Sequence, residues 1–82
     1  MDNQITRGDL QSLVVEALKK LSGEAQIWQI CKYIWDHYEN DLRSSGKIFY
    51  TWQYDVRWAG QILRNNEIIE NTKEVGVWKL SN

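Results

Sequence analysis

Arg57 and Gln61 stand four residues apart, a spacing that places two base-gripping side chains on one helix face. At about 100° per residue, Tyr54, Arg57, Gln61 and Arg64 cluster on one side of a predicted helix running from about residue 50 to 66, with Trp58 and Asn65 at its margin. An arginine can pair bidentately with guanine and a glutamine with adenine. Thr51, near the start of the same helix, adds a hydroxyl. Tyr50, Tyr54 and Trp58 supply rings able to stack on a base, at about 1–3 kcal/mol for each stacked base. Arg43 and Lys47 before the helix, Arg64 late in it and Lys73 further along are candidate phosphate contacts. Four such contacts imply a slope of log affinity against log salt of roughly −3.6, at about 0.9 per phosphate. The alternative is a solvated helix face with Arg57 bridging Asp36 or Glu39, and ordinary surface charge at Lys73, which lies between Thr72 and Glu74.

These side chains need a scaffold, and the apolar periodicity supplies one. Leu10, Leu13, Val14, Ala17, Leu18 and Leu21 recur at helical spacing, which predicts a first amphipathic helix. Thr6 or Asp9 can cap its start, Lys19 and Lys20 suit its negative end, and Gly23 can close it in a left-handed turn. After a short Glu24-Ala25-Gln26 connection, Ile27, Ile30, Cys31, Ile34 and Tyr38 predict a second helix, flanked by Trp28 and Trp35. Residues 39–47 carry charge, two serines and Gly46 without apolar periodicity, and read as a flexible loop. The third helix buries Trp52, Val56, Ala59, Ile62 and Leu63. Phe49 locks the loop onto the core or stacks on a ligand. A hairpin follows, with Ile68-Ile69-Glu70 and Val75 to Leu80 around a four-residue polar turn, Trp78 and Leu80 facing the same way. Trp28, Trp35 and Trp78 read as core; exposed together, they would form an apolar patch for a protein partner.

Composition narrows the classes further. Eighty-two residues suit one domain, spanning 1–82. Cys31 is the single cysteine, which excludes an internal disulfide and a cysteine-based zinc site. His37 has no second histidine or nucleophile to complete a catalytic set, and the acids Asp36, Glu39 and Asp41 lack calcium-loop spacing. The expectation is therefore no metal, no cofactor and no enzyme. No apolar run approaches the roughly 20 residues of a membrane span, so the chain reads as cytoplasmic. Net charge is −1, but its distribution is uneven. Residues 1–41 hold four basic and seven acidic groups, whereas residues 42–66 hold Arg43, Lys47, Arg57 and Arg64 against Asp55 alone.

Three helices followed by a hairpin predict an α+β winged helix, a helix-turn-helix core with a C-terminal β-hairpin wing. On specific residues the chain also resembles a known family, the winged-helix domains at one end of Mrr-type and other modification-dependent restriction endonucleases, N-terminal in the Mrr type. The likeness rests on Val56-Arg57-Trp58-Ala59, then Leu63, Asn66 and Ile68-Ile69-Glu70, then Gly76-Val77-Trp78-Lys79-Leu80-Ser81. A weaker match is Val15-x-Ala17-Leu18 with Gly23, Ile27 and Ile30. Asn66 stands where such domains often carry glycine, and asparagine tolerates the left-handed conformation expected there. The resemblance implies a reader of double-stranded DNA, unmodified or methylated, working with a nuclease domain in the same or a partner chain. A nuclease signature of its own is missing, since Glu70-Asn71-Thr72-Lys73 has the wrong spacing. Two alternatives stay open: a protein-interaction winged helix within a larger assembly, consistent with a pI of about 5.7, and a small homodimeric transcriptional regulator.

Overall fold

Thr6 and Asp9 start the first helix by bonding to one another: the Thr6 amide donates to Asp9 Oδ2 (2.9 Å) and the Asp9 amide to Thr6 Oγ1 (3.2 Å). This reciprocal pair satisfies amides that the first turn leaves free. Helix α1 (Asp9–Lys20) buries Leu10, Val14, Ala17 and Leu18 and ends in Lys19 and Lys20. Ser22 and Gly23 then both take positive φ, and the Gly23 amide donates to the Leu18 carbonyl at 2.6 Å. The computed structural model describes residues 4–81; residues 1–3 and 82, which the single-domain reading includes, lie outside the described residues.

The chain is an α+β domain in the order α1, β1 (Glu24–Gln26), α2 (Ile27–Arg43), α3 (Ile48–Asn65), β2 (Ile69–Asn71) and β3 (Val77–Leu80). Its sheet is antiparallel in the order β1-β3-β2. Three helices and the terminal hairpin follow the apolar periodicity, but Glu24-Ala25-Gln26 is a strand rather than a connection. Ala25 lies opposite Trp78 and Gln26 opposite Val77. Three residues cannot show alternation; their pairing with a strand more than fifty positions away makes them β. On the other edge, Ile69 pairs with Leu80 and Asn71 with Trp78.

Three more expectations are corrected. Residues 39–47 are not a flexible loop, because α2 continues to Arg43 and Leu42 is fully buried. Tyr38 has non-helical φ and ψ, yet Leu42 continues the four-residue steps of Ile34 and Tyr38 and extends the apolar stripe into the core. The left-handed residue after α3 is Glu67 (φ 61°), whereas Asn66 is near φ −92°. Val75 belongs to the hairpin's turn, not its strand, and is 99% exposed. Among the described residues no helix is long and apolar enough to cross a membrane.

The helices are joined by side chains as well as by apolar burial. Tyr33 and Tyr38 of α2 both donate hydrogen bonds to the Glu16 carboxylate of α1 at 2.8 Å. That acceptor favours the protonated phenol, and the Tyr38 pKa is pushed up to about 12, above the ordinary tyrosine value of about 10. A pKa raised on folding contributes stability that is complete below the unfolded value and disappears as pH climbs from about 10 to about 12. Glu16→Ala will return Tyr38 ionisation toward the ordinary range, read as tyrosinate absorbance in an alkaline titration. An unchanged late phase in that variant would contradict the assignment.

Candidate nucleic-acid interface

Helix α3 is fixed from beneath by Trp52, Asp55, Val56, Ala59, Gly60 and Leu63, all buried. Trp52 stacks on Trp35 of α2 with centroids 6.2 Å apart and planes 9° apart. Trp78 of the central strand presses its ring against Gly60, where even a Cβ would meet Cζ2 at 2.6 Å. The opposite face is thereby turned outward. Tyr50 and Tyr54 are 83% and 79% exposed, and Lys47, Thr51, Arg57 and Gln61 are exposed with them. Lys73 is exposed in the β2–β3 loop, whose neighbouring Glu74, Val75 and Gly76 share a cleft with Tyr54 and Arg57. The loop therefore lies beside the exposed side of α3.

Electrostatics separate the free cations from the occupied ones. Arg57 does not bridge Asp36 or Glu39: Lys32 holds Asp36 at 2.6 Å and Arg43 holds Glu39 at 2.8 Å. Both pairs have i,i+4 helical spacing. Asp55, the one acid in the basic middle segment, is taken by Arg7 Nε at 3.3 Å and by the Thr51 hydroxyl at 2.8 Å. Lys47, Arg57 and Lys73 form no ion pair or side-chain hydrogen bond among the described residues. Their charge is unspent on the protein itself.

Other expected contacts are engaged. Trp58 is partly buried, and the Arg7 guanidinium lies 3.9 Å from its ring centroid, so one face of this ring is covered. Arg64 is half-buried, donates from Nη2 to Gln61 Oε1 at 3.0 Å and sits 5.5 Å from the Trp78 centroid. Gln61 in turn donates to Asn65 Oδ1 at 3.2 Å. Arg43 stacks near Trp35 and Phe49 besides pairing with Glu39. Thr51 is committed to Asp55. Of the candidate cations on this surface, Lys47, Arg57 and Lys73 are thus the ones left without a side-chain partner among the described residues.

Sequence periodicity missed the placement of three residues. Arg7 lies in the polar segment before α1, where no pattern connects it to α3; only the fold brings it onto Asp55 and Trp58. Trp28, read as core, is instead 61% exposed. It does share a side of α2 with Trp35, as a seven-residue spacing requires, and both line the same cleft. At the first turn of α2, however, nothing is packed over it. Cys31, also read as core, is only partly buried and lines that cleft too. Burial pushes its thiol pKa up, against a smaller downward pull from Arg57.

Comparison of the chain with models of known protein families, with curated proteins and with solved structures found no match.

Proposed function

We propose that the chain is a winged-helix DNA-binding module in which α3 enters the major groove and the β2–β3 hairpin, as the wing, lies on adjacent phosphates or the minor groove. One observation carries this reading. Arg57 stands exposed and, among the described residues, unpaired, on the face of α3 that also carries the exposed Tyr50 and Tyr54, while the acids Asp36, Glu39 and Asp55 are each held by another cation. A surface built to bridge its own charges would have used Arg57 in the same way. The element order and the β1-β3-β2 sheet are compatible with a winged helix. The Mrr-type resemblance adds that the module selects targets, methylated ones included, for a nuclease domain in the same or a partner chain.

On this reading Tyr54 is the reader of the modified base, because Trp58 already carries Arg7 on its ring. Titration with randomised duplexes, unmodified or carrying methylated adenine or cytosine, will show binding at low salt and a preference for the methylated pool. Tyr54→Ala will erase that preference. Absence of duplex retention at every salt concentration overturns the proposal and favours a protein-interaction module. That second reading draws on the net acidity and on a groove lined by Val15, Lys19, Leu63 and Ile68, whose Ile68 is 41% exposed.

A further inference from the structure

A cleft of about 820 Å³ opens between the first turns of α2, the N-terminal half of α3 and the hairpin loop. Trp28, Trp35, Trp52 and Tyr54 give it aromatic walls, Cys31 lies among them, and Arg57 supplies a cation with no partner among the described residues. Lys32, also lining it, is neutralised by Asp36, and Glu74 borders it from the hairpin loop. Trp28 does not behave as a loose surface residue. Its indole N–H donates to the Gln26 side chain, so the ring is held in place although 61% of it is exposed. The Gln26 side chain takes part in a capping box with Gln29, which ties this indole to the start of the helix.

We infer that the cleft receives a single nucleobase extruded from a duplex lying on α3, with the base between the aromatic walls and its phosphate near Arg57. This rests on the DNA-binding reading of α3 and adds a separate pocket to it. A nucleobase matches the cleft because it has two π faces for stacking and a covalently attached anion for the unpaired guanidinium. A peptide side chain would satisfy the walls but leave Arg57 without a counter-charge. Unstacking a base from a duplex is costly, and least so when the base is already unpaired. The pocket will therefore be most visible with DNA that carries one bulged base.

The test compares fluorescence anisotropy titrations of two labelled duplexes, identical except that one holds a single bulged base. The protein will bind the bulged duplex about tenfold or more tightly, in line with the worth of one stacked base. Trp28→Ala will abolish the preference and leave affinity for the paired duplex unchanged. Cys31, the chain's only cysteine, gives a readout that needs no substitution. At alkaline pH, bulged DNA will shield it from a small maleimide more than paired DNA does at equal saturation. Equal affinity for the two duplexes, a preference that survives Trp28→Ala, or no difference in shielding overturns the inference. If both duplexes bind equally and lose affinity together on removal of Lys47 and Arg57, the pocket alone is wrong. If neither binds at low salt, the reading of α3 falls with it.

Discussion

Gly60→Ala will destabilise the fold, even though alanine in a helix interior is favoured over glycine by about 1 kcal/mol. Gly60 is buried in α3 and has no positive φ that would require glycine. Its role is spatial. A Cβ there would lie 2.6 and 2.8 Å from Cζ2 and Cζ3 of Trp78, and closer still to Cη2. Trp78 is 4% exposed and belongs to the central strand, opposite Ala25 on one side and Asn71 on the other. Its ring is enclosed by the core, so any shift of it presses on buried neighbours. Overpacking of this kind costs about 1–3 kcal/mol and occasionally more, so the clash outweighs the helix preference. Set against that preference the net loss is up to about 2 kcal/mol, or a fall in Tm of up to roughly 8–16 °C for a domain of this size. Thermal unfolding followed by circular dichroism measures it, and an unchanged or higher Tm would show that α3 does not rest on Trp78 as described.

The second large effect is on binding. Lys47 and Arg57 are exposed and have no acidic partner among the described residues, so their truncation removes none of the side-chain contacts described above. Arg57→Ala will cost about 1–3 kcal/mol of duplex affinity if its guanidinium grips a base edge, with tenfold for each 1.4 kcal/mol. Lys47→Ala will weaken binding evenly across sequences, as expected for a phosphate contact. The double variant will keep the wild-type Tm while losing more affinity than either single variant. Wild-type affinity at low salt in the double variant would remove α3 from the interface. Arg64→Ala provides a contrast, because that side chain already packs near Trp78 and bonds Gln61; its loss will register in stability more than in binding.

The two faces of α3 were legible in the sequence because one long helix repeats its period enough times to be read. Trp52, Val56, Ala59 and Leu63 are buried and Tyr54, Arg57 and Gln61 exposed, as that period requires. Features made by partners distant in the chain were not legible. Strand β1 exists because β3 comes to lie beside it. Leu42 continues the four-residue steps of Ile34 and Tyr38, but the charged residues and serines around it hide that step in the sequence. Trp28 shows a further limit. Spacing fixed its direction on α2, but burial also requires an element to cover it, and the helix begins where the cover ends. Arg43 and Arg64 look equivalent to Arg57 in the sequence, but Arg43 pairs with Glu39 one helical turn away and Arg64 lies near the Trp78 ring, which only the fold brings there.

Affinity for a random-sequence duplex, measured across a range of salt concentrations, tests the central claim most directly. Lys47 and Lys73, the candidate phosphate contacts of this surface without a partner among the described residues, predict a slope of log affinity against log salt of about −1.8, shallower than the −3.6 of four contacts, at about 0.9 per phosphate. In the Lys47→Ala variant it will flatten to about −0.9. A wild-type slope near zero, or no duplex binding even at the lowest salt, would contradict the account.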